Sequence, residues 1–425
     1  MKITLGCIAD DLTGATDLAM ILVREGMKTV QIVGVPKPDT PVPDADAVVI
    51  ALKSRTIPTD DAIKMSVASC DWLKKAGAQQ IFFKYCSTFD STADGNIGPV
   101  TDALMENLDT EQTIACPSFP ENGRTVYRGY LFVNDGLLSE SSLRNHPLTP
   151  MRDPNLKRVL SKQSKSTISN IYYETIEKGH GATHKAMQDN KQNRTIYIMD
   201  AISDDHLRTI GQACDDMALI TGGSAVAQGL PDNYRKAGLL PQNTGDVPFD
   251  APDGPSIILS GSCSEATRAQ VDYAQDHMPS FRLDALNILD NKPVADEAVA
   301  WAEAHIQSGT PVLFYSSADP DVVSEIQQKR GRVEVGSKVE KVISEIARRL
   351  KDIGVRRFVV AGGETSGAVI NALNVRQMEI GPQIDPGVPW TKSIGDQPLA
   401  LALKSGNFGG EDFFLKALNQ LDGGA

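Results

Sequence analysis

The chain has 425 residues, more than one ordinary hydrophobic core organises, so two domains are expected. Asp and Glu outnumber Lys and Arg by 54 to 42, a formal net charge of −12, and no basic run is long enough to track a nucleic-acid backbone; DNA, RNA and anionic membranes are disfavoured as partners, while a local basic pocket for a small anion is not. Six scattered cysteines without Cys-x-x-Cys pairing suggest reduced thiols, no apolar run is long enough to span a bilayer, and the N-terminus enters directly into a strand, which together predict a cytoplasmic protein.

Ile3 to Ala9 is an apolar run ending in Asp10-Asp11-Leu12-Thr13-Gly14, after which Leu18, Ile21, Leu22 and Val23 recur at helical spacing up to Gly26. Carboxylates at the C-terminal edge of a strand project into the crevice where open parallel sheets bind ligands. Asp10 and Asp11 could therefore bind sugar hydroxyls, hold Mg²⁺ or accept a proton, and Thr13 and Gly14 could open the helix to an anion. The alternative is that Asp11 or Thr13 merely caps the helix. Further strands at Thr29 to Val35 and Ala47 to Leu52 deliver Lys53-Ser54-Arg55-Thr56 to the same edge. The planar fork of Arg55 suits a carboxylate ligand, although a surface ion pair would use the same residue.

The strand Gln80 to Tyr85 carries Lys84 and runs into a polar loop that includes Cys86, Ser87, Thr88, Asp90, Ser91 and Asn96, before a helix expected from about Pro99 to Leu108. Such a loop offers many donors and acceptors to a polyhydroxylated ligand; the alternative is an ordinary solvated turn. Gln112 to Cys116 and Thr195 to Ala201 read as strands, and Arg124, Arg128, Arg144 and His146 could add positive charge near a crevice or serve only the surface. His180 and His184 stand four apart, but no third ligand is evident, so no metal site is assigned. Ser224 in Gly222-Gly223-Ser224 lacks the pattern of a hydrolase nucleophile.

Residues 231–255 are rich in proline and glycine and form the linker candidate between an N-terminal domain, 1–230, and a C-terminal domain, 256–425. The second domain carries three strands that end in glycine turns: Ile257 to Leu259 with Ser260-Gly261-Ser262, Phe358 to Ala361 with Gly362-Gly363-Glu364-Thr365, and Leu399 to Lys404 with Gly406-Asn407. Glycines let a backbone approach phosphate closely, and a helix start attracts anions. No Gly-Lys-Ser/Thr follows the glycines and no Gly-x-Gly-x-x-Gly spacing occurs, so a nucleotide site here is neither a P-loop nor a dinucleotide fingerprint. The β-then-α alternation predicts an α/β chain of two domains, each a mostly parallel sheet flanked by helices.

Taken together, Ile8-Ala9-Asp10-Asp11-Leu12-Thr13-Gly14-Ala15, Lys84-Tyr85-Cys86-Ser87-Thr88-Phe89-Asp90-Ser91-Thr92, Leu259-Ser260-Gly261-Ser262-Cys263-Ser264, Ala361-Gly362-Gly363-Glu364-Thr365-Ser366-Gly367 and Lys404-Ser405-Gly406-Asn407-Phe408-Gly409 resemble the four-carbon acid sugar kinase family, in family order and over nearly the whole chain. The Lys-Tyr-Cys-Ser-Thr-Phe-Asp-Ser-Thr form resembles the 3-oxo-tetronate kinase branch, whereas threonate and erythronate kinases tend to carry Lys-x-Asp-Ser-Thr. The resemblance implies an N-terminal acid-sugar domain, a C-terminal ATP domain, a ligand cleft between them whose chemistry must exclude water, and Mg²⁺-assisted phosphorylation of the 4-hydroxyl of 3-dehydrotetronate in sugar-acid catabolism, with D-threonate or D-erythronate as the alternative acceptor. It also implies a substrate side made of Asp10, Asp11, Thr13, Gly14, Arg55, Lys84, Ser87, Thr88 and Asp90, of which Asp11, Asp90 and Lys84 are the catalytic candidates, Asp11 ranking before Asp90 as base. The ATP side is implied at Ser260, Gly261, Ser262, Gly362, Gly363, Glu364, Thr365, Gly406 and Asn407. The implied partners are a small sugar acid and ATP, and a homodimer is compatible with the sequence without being required by it. Two rivals remain: a sugar-acid-binding protein without chemistry, which leaves the C-terminal glycine turns idle, and a dehydrogenase, which the absent fingerprint disfavours.

Overall fold

A computed structural model describes residues 3–145, 149–190, 193–242, 249–316 and 332–421. His146 and residues 243–248 of the expected linker lie outside them. The chain divides into two compact units, Met1–Val247 and Pro248–Ala425, each with its own run of strands. Among the described residues no helix is long and apolar enough to cross a membrane.

In the first unit the short β-branched and aliphatic runs become strands β1 (Leu5–Ala9), β2 (Thr29–Val33), β3 (Ala47–Ala51), β4 (Gln80–Lys84) and β5 (Gln112–Cys116). A small antiparallel ribbon, β6 (Arg124–Tyr127), β7 (Tyr130–Val133) and β8 (Gly136–Leu137), interrupts the alternation before β9 (Thr167–Ile171), β10 (Thr195–Met199) and β11 (Leu219–Gly222). Eight of these strands lie in the order β2-β3-β1-β4-β11-β5-β10-β9, every neighbouring pair parallel. Buried continuously on both faces, β1, β3 and β4 are uniformly apolar apart from Gln80 and Lys84, as parallel strands covered by helices must be. The chain leaves β1 for β2 and β3 on one side and then crosses to β4 on the other. Strand order therefore reverses at the β1–β4 pair, which opens a crevice at the carboxyl ends of those two strands.

The second unit repeats this logic with β12 (Ser256–Ser260), β13 (Ser280–Arg282), β14 (Val312–Tyr315), β15 (Arg357–Ala361), β16 (Gln377–Asp385), β17 (Val388–Ser393) and β18 (Ala400–Lys404), in the order β13-β14-β12-β15-β18-β17-β16. Here the reversal falls between β12 and β15. The last three strands are antiparallel, a departure from the parallel alternation. Each unit has its own apolar core: one around Ile8, Ile50, Phe83 and Ile198, the other around Ile258, Val359, Trp390 and Phe413.

Candidate active site

The turn after β1 brings Asp10 and Asp11 to the first crevice. Asp11 is the N-cap of helix Leu12–Arg24, its Oδ1 accepting from the Gly14 backbone N–H at 3.2 Å, while its Oδ2 accepts from Thr13 Oγ1 at 2.9 Å. The capping role, the alternative named from the sequence, is thus present, and the same carboxylate also faces Arg55 and Lys84. Arg55, delivered by the loop after β3, donates from Nε to Asp10 Oδ2 at 2.8 Å and from a terminal nitrogen to Asp10 Oδ1 at 2.9 Å; that terminal nitrogen also lies 2.8 Å from Asp11 Oδ1. Its other terminal nitrogen stands 3.7 Å from Asp90. Of the two readings open for Arg55, the ion pair is the one present: the guanidinium lies against three of the protein's own acids, because the adjoining strand ends gather anionic groups that a half-buried cation balances.

Lys84 closes β4, and its buried ammonium sits 3.4 Å from Asp11. A methyl group on Gly14 would overlap that ammonium, so glycine is required there by close approach rather than by backbone angle. Burial alone would raise the Asp11 carboxyl, but Lys84, Arg55 and the Thr13 hydrogen bond outweigh it and hold Asp11 well below the usual carboxylate range. Burial pushes Asp10 upward against the pull of Arg55. Lys84 is held above its ordinary value because Asp11 and Asp10 overcome the cost of its burial.

The polar loop after β4 supplies the rest. Thr88 donates to Asp90 Oδ1 at 2.5 Å and lies 2.8 Å from Cys86 Sγ, and Ser87 is half-buried beside them. Between Thr88 and Asp90, Phe89 adopts φ +52, rare for a bulky residue; its ring is buried edge-on to Tyr85, with centroids 5.5 Å apart. Burial, with Asp90 beside it, pushes the Cys86 thiol up to about 11, which removes it from thiolate chemistry near neutral pH.

Two contributors, Asn96 and Asp17, were given no role of their own from the sequence. Asn96 donates to the carbonyls of Ser54, Arg55 and Ile57 at 2.9, 3.3 and 3.0 Å and accepts from Thr59, clamping the turn that carries Arg55. Asp17, one helical turn beyond Thr13, is bound by the Ser224 hydroxyl, which gives the Gly222-Gly223-Ser224 turn a partner at the crevice. Burial raises the Asp17 carboxyl, and Lys84 and Ser224 oppose the rise. His184, with Asp215 and Asp216, forms a group whose ligand atoms lie within 4.8 Å of one another, but both acids are exposed and among the described residues no fourth His, Cys, Asp or Glu joins them. The cavity of about 660 Å³ beside those acids opens at Gln79, Gln80 and Ala218, at the amino ends of β4 and β11 and hence at the opposite edge of the sheet from Lys84.

In the second unit the register aligns Ser260, Ala361 and Lys404 across β12, β15 and β18, so three glycine turns leave the sheet at one level. Gly362 takes φ +123, open to glycine, and caps helix Gly363–Ala372 without any side-chain cap. Gly363 faces open space, whereas a Cβ on Gly261 would collide with the Thr365 hydroxyl and one on Gly406 would come within 2.5 Å of Ser262 Oγ. Close packing of the turns beneath and clearance above at Gly363 is the shape of an anion cradle, and it fits a nucleotide polyphosphate. Ser260 and Thr365 are buried among the turns; Glu364 and Asn407 stand exposed on them. Sequence reading passed over Gln270, whose amide donates to the carbonyls of Phe408, Gly409 and Gly410 at 2.9–3.0 Å and so pins the third turn. A glutamine on a helix carries no pattern that announces a clamp on a loop so far along the chain.

Comparison with known proteins bears on both units. A family model described as a sugar-binding N-terminal domain matches residues 5–230, and one described as a nucleotide-binding C-terminal domain matches residues 257–414. A 3-oxo-tetronate kinase of Burkholderia multivorans is 53% identical over 99% of this chain and 98% of its own length. A 3-oxo-tetronate kinase of Salmonella typhimurium is 44% identical over 97% of this chain and 98% of its own. Among solved structures, a Haemophilus influenzae protein matches with a TM-score of 0.86 at 41% identity, covering 98% of this chain and 100% of that one. A Salmonella typhimurium structure titled a putative tRNA synthase matches with a TM-score of 0.89 at 43% identity, covering 98% and 99%.

Proposed function

The chain belongs to the four-carbon acid sugar kinase family, and from that premise we infer that it transfers the γ-phosphoryl group of ATP to the 4-hydroxyl of 3-oxo-tetronate, in the catabolism of four-carbon sugar acids. The observation that carries the reading is the pairing, in one chain, of two chemically distinct sites at two sheet reversals. One is a cation-held carboxylate cluster rich in hydroxyl acceptors; the other is a glycine-built anion cradle. A substrate bearing hydroxyls and a carboxylate suits the first and a polyphosphate the second.

Bound ATP supplies the phosphoryl group; all else is positioning and electrostatics. Ser260, Gly362, Gly363, Thr365 and Gly406 line the cradle, and the uncapped start of helix Gly363–Ala372 presents backbone N–H groups to phosphate oxygens. Mg²⁺ is proposed to enter as the counter-ion of the phosphates, because Asp10 and Asp11 are already occupied by Arg55 and Lys84; no residue is assigned to hold it. Of the two candidate bases, the geometry favours Asp90. Asp11 accepts from Gly14, Thr13, Arg55 and Lys84, which stabilises its charge and weakens it as a proton acceptor. Asp90 keeps Oδ2 at 3.7 Å from its nearest cation and is proposed to accept the proton of the attacking hydroxyl. Lys84 and Arg55, locked by Asp11, then offer fixed positive charge to the reacting groups.

The test is ADP release with Mg-ATP against 3-oxo-tetronates, threonate and erythronate, each in both enantiomers. Turnover is expected on a 3-oxo acid and not on the hydroxy acids. Turnover on threonate or erythronate alone would overturn the substrate, and binding of the acids without ADP release would overturn the chemistry.

A further inference from the structure

Lys404 ends β18 beneath the three nucleotide turns, and it is fully buried. Its ammonium donates to Thr267 Oγ1 at 2.9 Å and to the Gly406 carbonyl at 3.2 Å. The same carbonyl also accepts from Ser264 Oγ at 2.6 Å and Thr267 Oγ1 at 2.7 Å, so three donors converge on one oxygen of the third turn. The partners of this cation are thus neutral, although burial of an ammonium ordinarily demands a carboxylate. The surrounding elements do carry charged residues: Glu265, Arg268 and Asp272 on helix Glu265–Gln275, Glu364 at the start of helix Gly363–Ala372, and Asp385, Glu411 and Asp412 beside the 405–410 loop. Among the described residues none forms an ion pair with Lys404, and Asp385 is taken by Lys416. Lys84 in the first unit is the instructive contrast, since it is also buried but faces Asp11.

We propose that the counter-charge of Lys404 is the polyphosphate of the bound nucleotide, so that nucleotide binding draws a proton from solvent onto the Lys404 amine and the resulting ammonium fixes the Gly406 turn against the phosphates. The inference rests on the nucleotide reading of the second unit. Lys404 is a positioning residue, acting through Gly406 and Thr267 and through its field. The step balances simply: the neutral amine gains one proton from the buffer, and the nucleotide keeps its own charge. Burial pulls the Lys404 ammonium down to about 8, which puts the exchange in an accessible range. The sign follows. Below pH 7 the free protein already carries the proton and binding takes up none from this group; above pH 8 the free amine is largely neutral and binding must protonate it.

Isothermal titration of the full-length protein with ADP, which gives no turnover, tests this in buffers of differing ionisation enthalpy. At pH 8.5 the wild type should take up a measurable fraction of a proton per ADP, and at pH 6.5 much less from this group. Lys404→Met should bind ADP about tenfold or more weakly at pH 7 and lose the uptake. Lys404→Arg, whose guanidinium stays charged, should bind without uptake at either pH. ADP binding by the wild type at pH 8.5 without proton uptake overturns the inference but leaves the nucleotide site standing, as does uptake that persists in Lys404→Arg. No ADP binding by the wild type overturns the nucleotide reading and the inference with it.

Discussion

A single carboxylate here both fastens the fold and lines the candidate site, and substitution can separate the two. Asp11 is an N-cap, a partner to buried Lys84 and half-buried Arg55, and a wall of the candidate site. Because its folded-state pKa is depressed, its contribution to stability is complete above the unfolded carboxylate value of about 4 and drains away as pH falls below that toward the folded value. Asp11→Asn should therefore flatten the acid limb of the stability curve and, by leaving Lys84 and Arg55 short of charge, cost about 3–5 kcal/mol in urea unfolding at pH 7. Asp90 holds one hydroxyl and a guanidinium at 3.7 Å, so Asp90→Asn should cost only about 1 kcal/mol yet lower kcat at least a hundredfold with ADP affinity unchanged. If Asp90→Asn turns over normally while Asp11→Asn retains stability and loses turnover, the base is Asp11.

Among the elements, the strands with their immediate turns were the legible part. Ile3 to Ala9, Ala47 to Leu52 and Gln80 to Tyr85 are short apolar runs bounded by polar clusters, and they become β1, β3 and β4 within two residues of the expected ends. Less legible was the antiparallel pair β16 and β17, whose sequence Gln377–Asp385 mixes Glu379, Gly381, Pro382 and Gln383 among its apolar residues and so shows no clean alternation. Asp385-Pro386-Gly387, leading into Val388, is the turn signal that could have revealed it. Least legible were the clamps, because a hydrogen bond between residues about forty apart leaves no periodic trace. Asn96 shows what such a clamp does to an element: three carbonyls of the 54–57 turn depend on one amide. Asn96→Ala should cost about 1–3 kcal/mol, the range for buried groups left unpaired, and raise KM for the sugar acid severalfold while leaving nucleotide affinity unchanged. Urea unfolding and the coupled ADP-release assay would measure the two effects, and an unaltered KM would mean that Arg55 is held in place without the clamp.

At the scale of the whole molecule, each unit carries its own core and its own sheet reversal, and each candidate site is built from residues of one unit only. A ligand stabilises the structure that binds it by an amount set by its concentration relative to Kd, about 2.7 kcal/mol at a hundredfold excess, and that stabilisation should stay within the unit whose groups it engages. Gly363→Val isolates the point. The position is helical and faces open space, so valine should be accommodated by the fold and projects where a phosphate is proposed to lie. Hydrogen exchange of the full chain is expected to show ADP protecting the turns at 260–262, 362–367 and 404–410 in the wild type and none of them in Gly363→Val. The sugar acid should protect 10–14 and 84–91 equally in both proteins. Loss of both protections in the variant would mean that the acid-sugar site depends on the nucleotide unit, and normal ADP protection would remove Gly363 from the cradle. The two sites are separate in their construction, and only the reaction itself requires them together.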